Sequence, residues 1–159
     1  LRSVEPLAKA SFSGEILRRG FWLYVWKVTG SGKTVLYVGR TGDSSSANAA
    51  SPFSRLSAHL EMKTNAKGNS LYQNVRDAQI DPLSADYQLV ACGPLFEEQA
   101  TYEEHCPYRN RMAAMEKELA QRLREDWDVI GCHGSRHEVC EQDHAIFERE
   151  YERIVNALQ

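Results

Sequence analysis

The sequence has no apolar run of membrane-spanning length, and a transmembrane helix needs about 20 consecutive apolar residues. It has no charged-then-apolar leader at its start. It has only four cysteines, Cys92, Cys106, Cys132 and Cys140, in 159 residues. That is too few for a disulfide scaffold, so reduced thiols and a cytoplasmic setting are expected. It has no surplus of positive charge: the formal net charge is -3, which counts against a purely electrostatic grip on nucleic acid. Internal repeats and long low-complexity stretches are absent as well. The chain opens on Leu1 rather than Met, and a trimmed N-terminus is the expectation.

What is present suffices for one domain with a real core, since 42% of the residues are hydrophobic. Charge is unevenly spread. Residues 97–104 and 138–152 are acid-rich, whereas Arg18, Arg19, Lys27, Lys33, Arg40, Arg55, Lys63 and Lys67 fall in the first half. The local sign at a groove matters more than the sum.

Residues 1–20 read as an extension with a short helix around Gly14–Arg19. The aromatic and β-branched run Phe21–Val28 reads as a strand, Thr29–Lys33 as a turn, and Thr34–Gly39 as a second strand, making a hairpin. Gly42 to Pro52 reads as a loop. A helix is predicted from Ser51 as cap and Pro52 in its first turn to about Lys63. A further helix covers Ser70–Gln79 and a third strand Asp86–Cys92. Pro107 is expected to open a helix to about Glu125, with Tyr108, Met112, Met115, Leu119 and Leu123 on one face. The last helix is predicted over Glu141–Leu158, burying Phe147, Tyr151, Ile154, Val155 and Leu158. The class is α+β, with a small three-stranded, mainly antiparallel sheet flanked by helices. The expected division is an extension at 1–20, a principal domain at 21–131, and a C-terminal loop and packing helix at 132–159.

Thr29-Gly30-Ser31-Gly32-Lys33-Thr34 has the look of a phosphate-binding loop. The full signature needs a glycine where Lys27 stands, and the loop must feed a helix whose N-terminus holds the phosphates. Here it feeds a strand, so a hairpin turn is expected.

Four features carry chemistry: Tyr24 on the first strand, Tyr37-Val38-Gly39-Arg40 ending the second, Arg55-x-x-x-His59 on the next helix, and Glu116 on a later one. An even-residue hairpin loop pairs odd with even positions, so Tyr24 and Tyr37 project from one face. Two neighbouring phenols can position or activate a water. Gly39 leaves room for a close approach. Arg55 and His59, four apart, share a helix face, expected to turn away from Phe53, Leu56 and Leu60, which are assigned to the core. A guanidinium can hold phosphate oxygens in bidentate fashion, and an imidazole can relay protons near neutrality. Glu116 sits at the rim of its helix's apolar stripe and can face a cleft; Glu118 lies farther out. Each residue taken singly has an ordinary structural reading, and the weight comes from their order and spacing.

In that order and spacing, over about residues 21–130, the chain resembles the GIY-YIG nucleases. Tyr24, in Leu23-Tyr24-Val25-Trp26, and Tyr37-Val38-Gly39 are similar to the two name-giving tripeptides, with Trp22 and Leu23 where Gly and Ile are usual. Arg55-x-x-x-His59 resembles the family's Arg/His helix, and Glu116-x-x-Leu119 its metal-binding glutamate helix. The resemblance implies a Mg²⁺- or Mn²⁺-dependent endonuclease acting on DNA, with RNA left open. Glu116 would hold the metal, which would stabilise the leaving 3′-oxygen. Tyr24 or Tyr37, helped by His59, would activate the attacking water. Arg55 would stabilise the pentavalent phosphate, and Arg40 and Lys63 would contact nucleic acid. One departure stands out. Asp128 occupies the position where the family often has asparagine, which implies weaker binding, altered metal use, or a role moved to His133 or Ser135.

A second candidate site is Cys132-x4-His137-x2-Cys140-x3-His144, with His133 beside it. These residue types can hold a structural Zn²⁺, although the spacing matches no common finger. The functional rivals are a catalytically weak module binding nucleic acid or protein through the same groove, and an interaction domain stabilised by metal at this cluster.

Overall fold

A computed structural model describes residues 7–63 and 65–159. Strand β1 (Phe21–Gly30) and strand β2 (Lys33–Arg40) form the expected antiparallel hairpin. Its tip is Ser31-Gly32, both at positive φ (50° and 78°), as a two-residue turn matched to strand twist requires. The residues that resemble a phosphate loop are therefore turn chemistry. Strand β3 (Asp86–Phe96) pairs antiparallel with the other edge of β1, and runs four residues beyond the expected end at Cys92.

The fold is α+β, but the sheet has four strands in the order β3-β1-β2-β4 and is mixed. Strand β4 (Val129–Ile130) lies parallel to β2. Two residues are too few to display any alternation of polarity, so no pattern in the sequence announces this strand.

Both faces of the sheet are covered, which explains why β1 reads as an unbroken apolar run. Helix α1 (Pro52–His59) and helix α2 (Ser70–Asp77) lie on the chain between β2 and β3. Leu71 and Val75 of α2, with Leu56 and Leu60, pack with Tyr24, Trp26, Val28 and Val35 on one face. On the other face, Met112, Met115, Leu119 and Leu123 of helix α3 (Tyr102–Leu123) and Phe147, Ile154 and Leu158 of helix α4 (Glu141–Leu158) pack with Leu23, Val25, Leu36 and Val38. Among the described residues, no helix is long and apolar enough to cross a membrane.

Two helix boundaries differ from expectation by four residues or more. Helix α1 begins as predicted, with the Ser51 hydroxyl accepting from Ser54 N at 3.2 Å and Pro52 at its start, but ends at His59 instead of Lys63. Helix α3 begins at Tyr102, five residues before Pro107. Its start is set by a capping box, with Thr101 Oγ1 accepting from Glu104 N and the Glu104 carboxylate accepting from Thr101 N. That reciprocal pair satisfies two end donors. Pro107 sits inside the helix, in its second turn, where its missing N–H leaves the Glu103 carbonyl without the usual i−4 donor. Among the described residues of the N-terminal segment there is one 3-10 turn, Gly14–Leu17.

Helix α4 is tied to α3 by a two-bond ion pair. Arg111 donates through Nε to Asp143 Oδ2 at 2.8 Å and through Nη2 to Oδ1 at 2.5 Å. The Asp143 side chain is 1% exposed, and the Arg111 hydrogen bonds hold its carboxyl below the usual range. Removing one member of a buried pair strands the other. Asp143→Ala leaves Arg111, itself 27% exposed, without its acceptor and is expected to lower stability by about 1–3 kcal/mol, read from urea denaturation at pH 7; an unchanged midpoint would refute the role. Because the folded-state pKa is depressed, the pair's contribution is present above the unfolded value of about 3.9. It is lost as pH falls through the folded value.

Candidate active site

The register pairs Trp26 with Tyr37 and Tyr24 with Gly39, so both phenols rise from the face that α1 and α2 cover. Tyr24 is buried and Tyr37 half-buried. Helix α1 presents His59 to them, and here the structure corrects the expected orientation. His59 is 3% exposed, whereas Phe53, assigned to the core, is 38% exposed and packs on Phe12 of the N-terminal segment, ring centroids 5.0 Å apart. The apolar side of a helix normally faces inward. Leu56 and Leu60 do face the sheet as expected; His59 joins them because the sheet there also offers hydroxyls.

The result is a continuous hydrogen-bonded line. Tyr24 Oη lies 2.5 Å from His59 Nε2. His59 Nδ1 lies 3.2 Å from Ser70 Oγ, and Ser70 Oγ lies 2.9 Å from Tyr37 Oη. Burial dominates the electrostatics of the line. It raises the pKa of Tyr24 and Tyr37, keeping both as phenols. It also lowers His59, with Arg55 adding to the effect, to about 4. At neutral pH the imidazole is therefore uncharged, with one nitrogen free to accept.

Gly39 makes this arrangement possible. A Cβ added there would lie 2.5 Å from the Cε2, Cζ and Oη of Tyr24. Those atoms are fixed by the core and by His59, so the ring has to move. Gly39→Ala is expected to cost about 1–3 kcal/mol through overpacking and to separate Tyr24 from His59. Urea denaturation measures the first effect, and wild-type stability would contradict the close approach.

Two ion pairs stand beside the line. Arg55 Nη2 donates to Asp43 Oδ2 at 2.7 Å, and its charge acts on Tyr24, Tyr37 and His59. Arg40, which ends β2 on the α3 side of the sheet, donates through Nε to Glu116 Oε2 at 2.5 Å, with side chains 16% and 19% exposed. Desolvation pushes the Glu116 carboxyl up to about 7 against the pull of Arg40; Asp43 pushes the same way and Arg55 opposes. Glu116 thus enters from the opposite face to the phenols, yet its charge reaches Tyr24 and Tyr37. Arg55 is the electrostatic link between the line and the carboxylate. Arg40 Nη1 and Arg55 Nε are buried with no acceptor among the described residues, so both guanidinium groups hold unspent donors.

The other expected residues are placed as follows. Arg40, expected to meet nucleic acid, is engaged by Glu116. Lys63 is exposed on the connection between α1 and α2. Asp128 is exposed, and its backbone carbonyl accepts from Leu36 N at 2.8 Å. His133 does approach the site. Its Nε2 donates to the Val38 carbonyl at 2.7 Å, and its ring centroid lies 6.0 Å from that of Tyr37. In the Cys132/His137/Cys140/His144 segment, the Cys140 thiol donates to Asp143 Oδ2 at 3.1 Å. Among the described residues, no group of three or more His, Cys, Asp or Glu side chains is gathered to hold a metal. Ser70 and Asp43 are the site members that sequence reasoning missed. Ser70 was visible only as the start of a helix, and Asp43 only as part of a loop.

Comparison found no matching protein family, no matching curated protein and no matching solved structure.

Proposed function

We propose that this cluster is the active centre of a metal-dependent endonuclease of the GIY-YIG kind, hydrolysing phosphodiester bonds in DNA. The observation that carries the reading is the unbroken Tyr24–His59–Ser70–Tyr37 line, flanked by Arg55 and by the largely buried Glu116 carboxyl. A neutral imidazole joined to a half-exposed phenol is a proton acceptor reaching toward solvent. A carboxylate that desolvation leaves short of compensation is suited to a hard divalent cation such as Mg²⁺ or Mn²⁺, which needs few protein ligands and keeps waters. When bound, that ion would supply Lewis-acid stabilisation of the leaving 3′-oxygen. Tyr37, the less buried phenol, holds the attacking water, and His59 receives its proton. Arg55 turns its unspent N–H groups to the phosphate oxygens. Arg40 exchanges Glu116 for a neighbouring phosphate.

The rival is a module that binds nucleic acid without cutting it, favoured by the pairing of Arg40 and Arg55 to carboxylates and by the exposed Asp128. Supercoiled plasmid incubated with the protein, with and without Mn²⁺, separates the two. The nuclease yields relaxed circles only with metal; a mobility shift with intact plasmid favours the rival.

The pH dependence of metal binding follows from Glu116. Its carboxyl must be ionised to ligate, and it titrates at about 7. Mn²⁺ affinity for the free protein is expected to fall by about tenfold per pH unit below 7 and to level off above. Calorimetry between pH 5.5 and 8.5 checks this, and an affinity constant across that range would contradict it. His59, at about 4, stays neutral across the same range and contributes no step.

A further inference from the structure

Ser70 has a position that its helix does not require. It is the first residue of α2, one position past the cap where hydroxyl side chains commonly satisfy a helix's own end. Its neighbour Asn69 occupies the cap position without forming a side-chain cap bond. The Ser70 hydroxyl instead lies between His59 Nδ1 at 3.2 Å and Tyr37 Oη at 2.9 Å. The Ser70 backbone carbonyl accepts from Asn74 Nδ2 at 2.8 Å, which ties the residue to the next turn. The rings of Tyr37 and His59 meet edge to face, centroids 5.6 Å apart, so they touch but need a third group to join their polar atoms.

We infer that Ser70 is the positioning residue of this centre, bridging His59 and Tyr37 so that phenol, hydroxyl and imidazole form one path for the proton of the attacking water. The inference rests on the nuclease reading and deepens it. The water O–H bond breaks and its proton joins Tyr37 Oη, while the Tyr37 proton passes to Ser70 Oγ and the Ser70 proton to His59 Nδ1. The resulting hydroxide attacks phosphorus, and His59 is left as imidazolium. Tyr37 and Ser70 each gain one proton and give one up; the water gives one up and His59 keeps one. Without the Ser70 hydroxyl, Nδ1 and Oη have no common partner and the path is interrupted.

The test compares wild-type protein with Ser70→Ala and Ser70→Thr, using side-chain ¹⁵N NMR of His59 and the rate of Mn²⁺-dependent plasmid nicking. Ser70→Ala is expected to shift the Nδ1 resonance and to lower kcat by at least about tenfold, with KM within twofold. Ser70→Thr, which keeps the hydroxyl, restores both. A mere loss of helix packing would not be repaired at Nδ1 by the threonine. Unchanged His59 resonances and unchanged kcat in Ser70→Ala overturn the inference. Wild-type protein that does not nick overturns the nuclease reading instead, and the NMR comparison still decides whether Ser70 holds His59.

Discussion

Glu116→Gln is expected to reduce cleavage by about a thousandfold or more while leaving the protein folded. Lewis-acid stabilisation of a leaving oxygen is worth several kcal/mol, and ~1.4 kcal/mol corresponds to a factor of ten in rate. The amide has the shape of the carboxylate and still offers an oxygen to Arg40 Nε, which now lies 2.5 Å from Oε2. The substitution therefore removes the charge more than the packing. The carboxyl already titrates at about 7 because it is desolvated, so the native fold tolerates its neutral form. Two measurements check the expectation: nicking rate at saturating Mn²⁺, and Mn²⁺ binding by calorimetry, with circular dichroism as the control for folding. A variant that binds Mn²⁺ and cuts at the parent rate would remove Glu116 from the account.

Arg55→Ala is expected to lower cleavage by about a hundred- to a thousandfold, the usual consequence of removing one preorganised donor from a developing negative charge. The loss of stability should be small. Asp43, the partner left behind, is 37% exposed, and exposed ion pairs contribute about 0–1 kcal/mol. Arg55→Lys should recover part of the rate by keeping the charge without the planar fork. The effect should also appear at His59, whose pKa is lowered in part by the Arg55 charge. In Arg55→Ala that pKa should rise toward its ordinary value, which an NMR titration measures. Cleavage at the wild-type rate in Arg55→Ala would mean that the guanidinium does not face the phosphate.

Much of this site is legible in the sequence because it depends on periodicity. The even-residue turn at Ser31-Gly32 places Tyr24 and Tyr37 on one face, and strand alternation makes that a matter of counting. The last helix spans Glu141–Leu158 as its apolar spacing predicts. The start of α3 is also written in the sequence, as the capping-box pattern Thr101-x-x-Glu104, which the expectation of a start at Pro107 did not use. On α1, Leu56 and Leu60 pack on the sheet as expected, but Phe53 does not and His59 turns inward. Apolar residues mark a buried side only where the opposing surface is apolar, and two phenols draw the imidazole in. Contacts such as Arg40 with Glu116, 76 residues apart, or Ser70 between His59 and Tyr37, arise from tertiary closeness that no local pattern encodes.

Hydrolysis of a DNA duplex by the wild-type protein with Mn²⁺ in ¹⁸O-labelled water tests the central claim most directly. Free 3′-hydroxyl ends and 5′-phosphate ends carrying one ¹⁸O from the attacking water are expected. Absence of cleavage, or 5′-phosphate ends without the label, would contradict it.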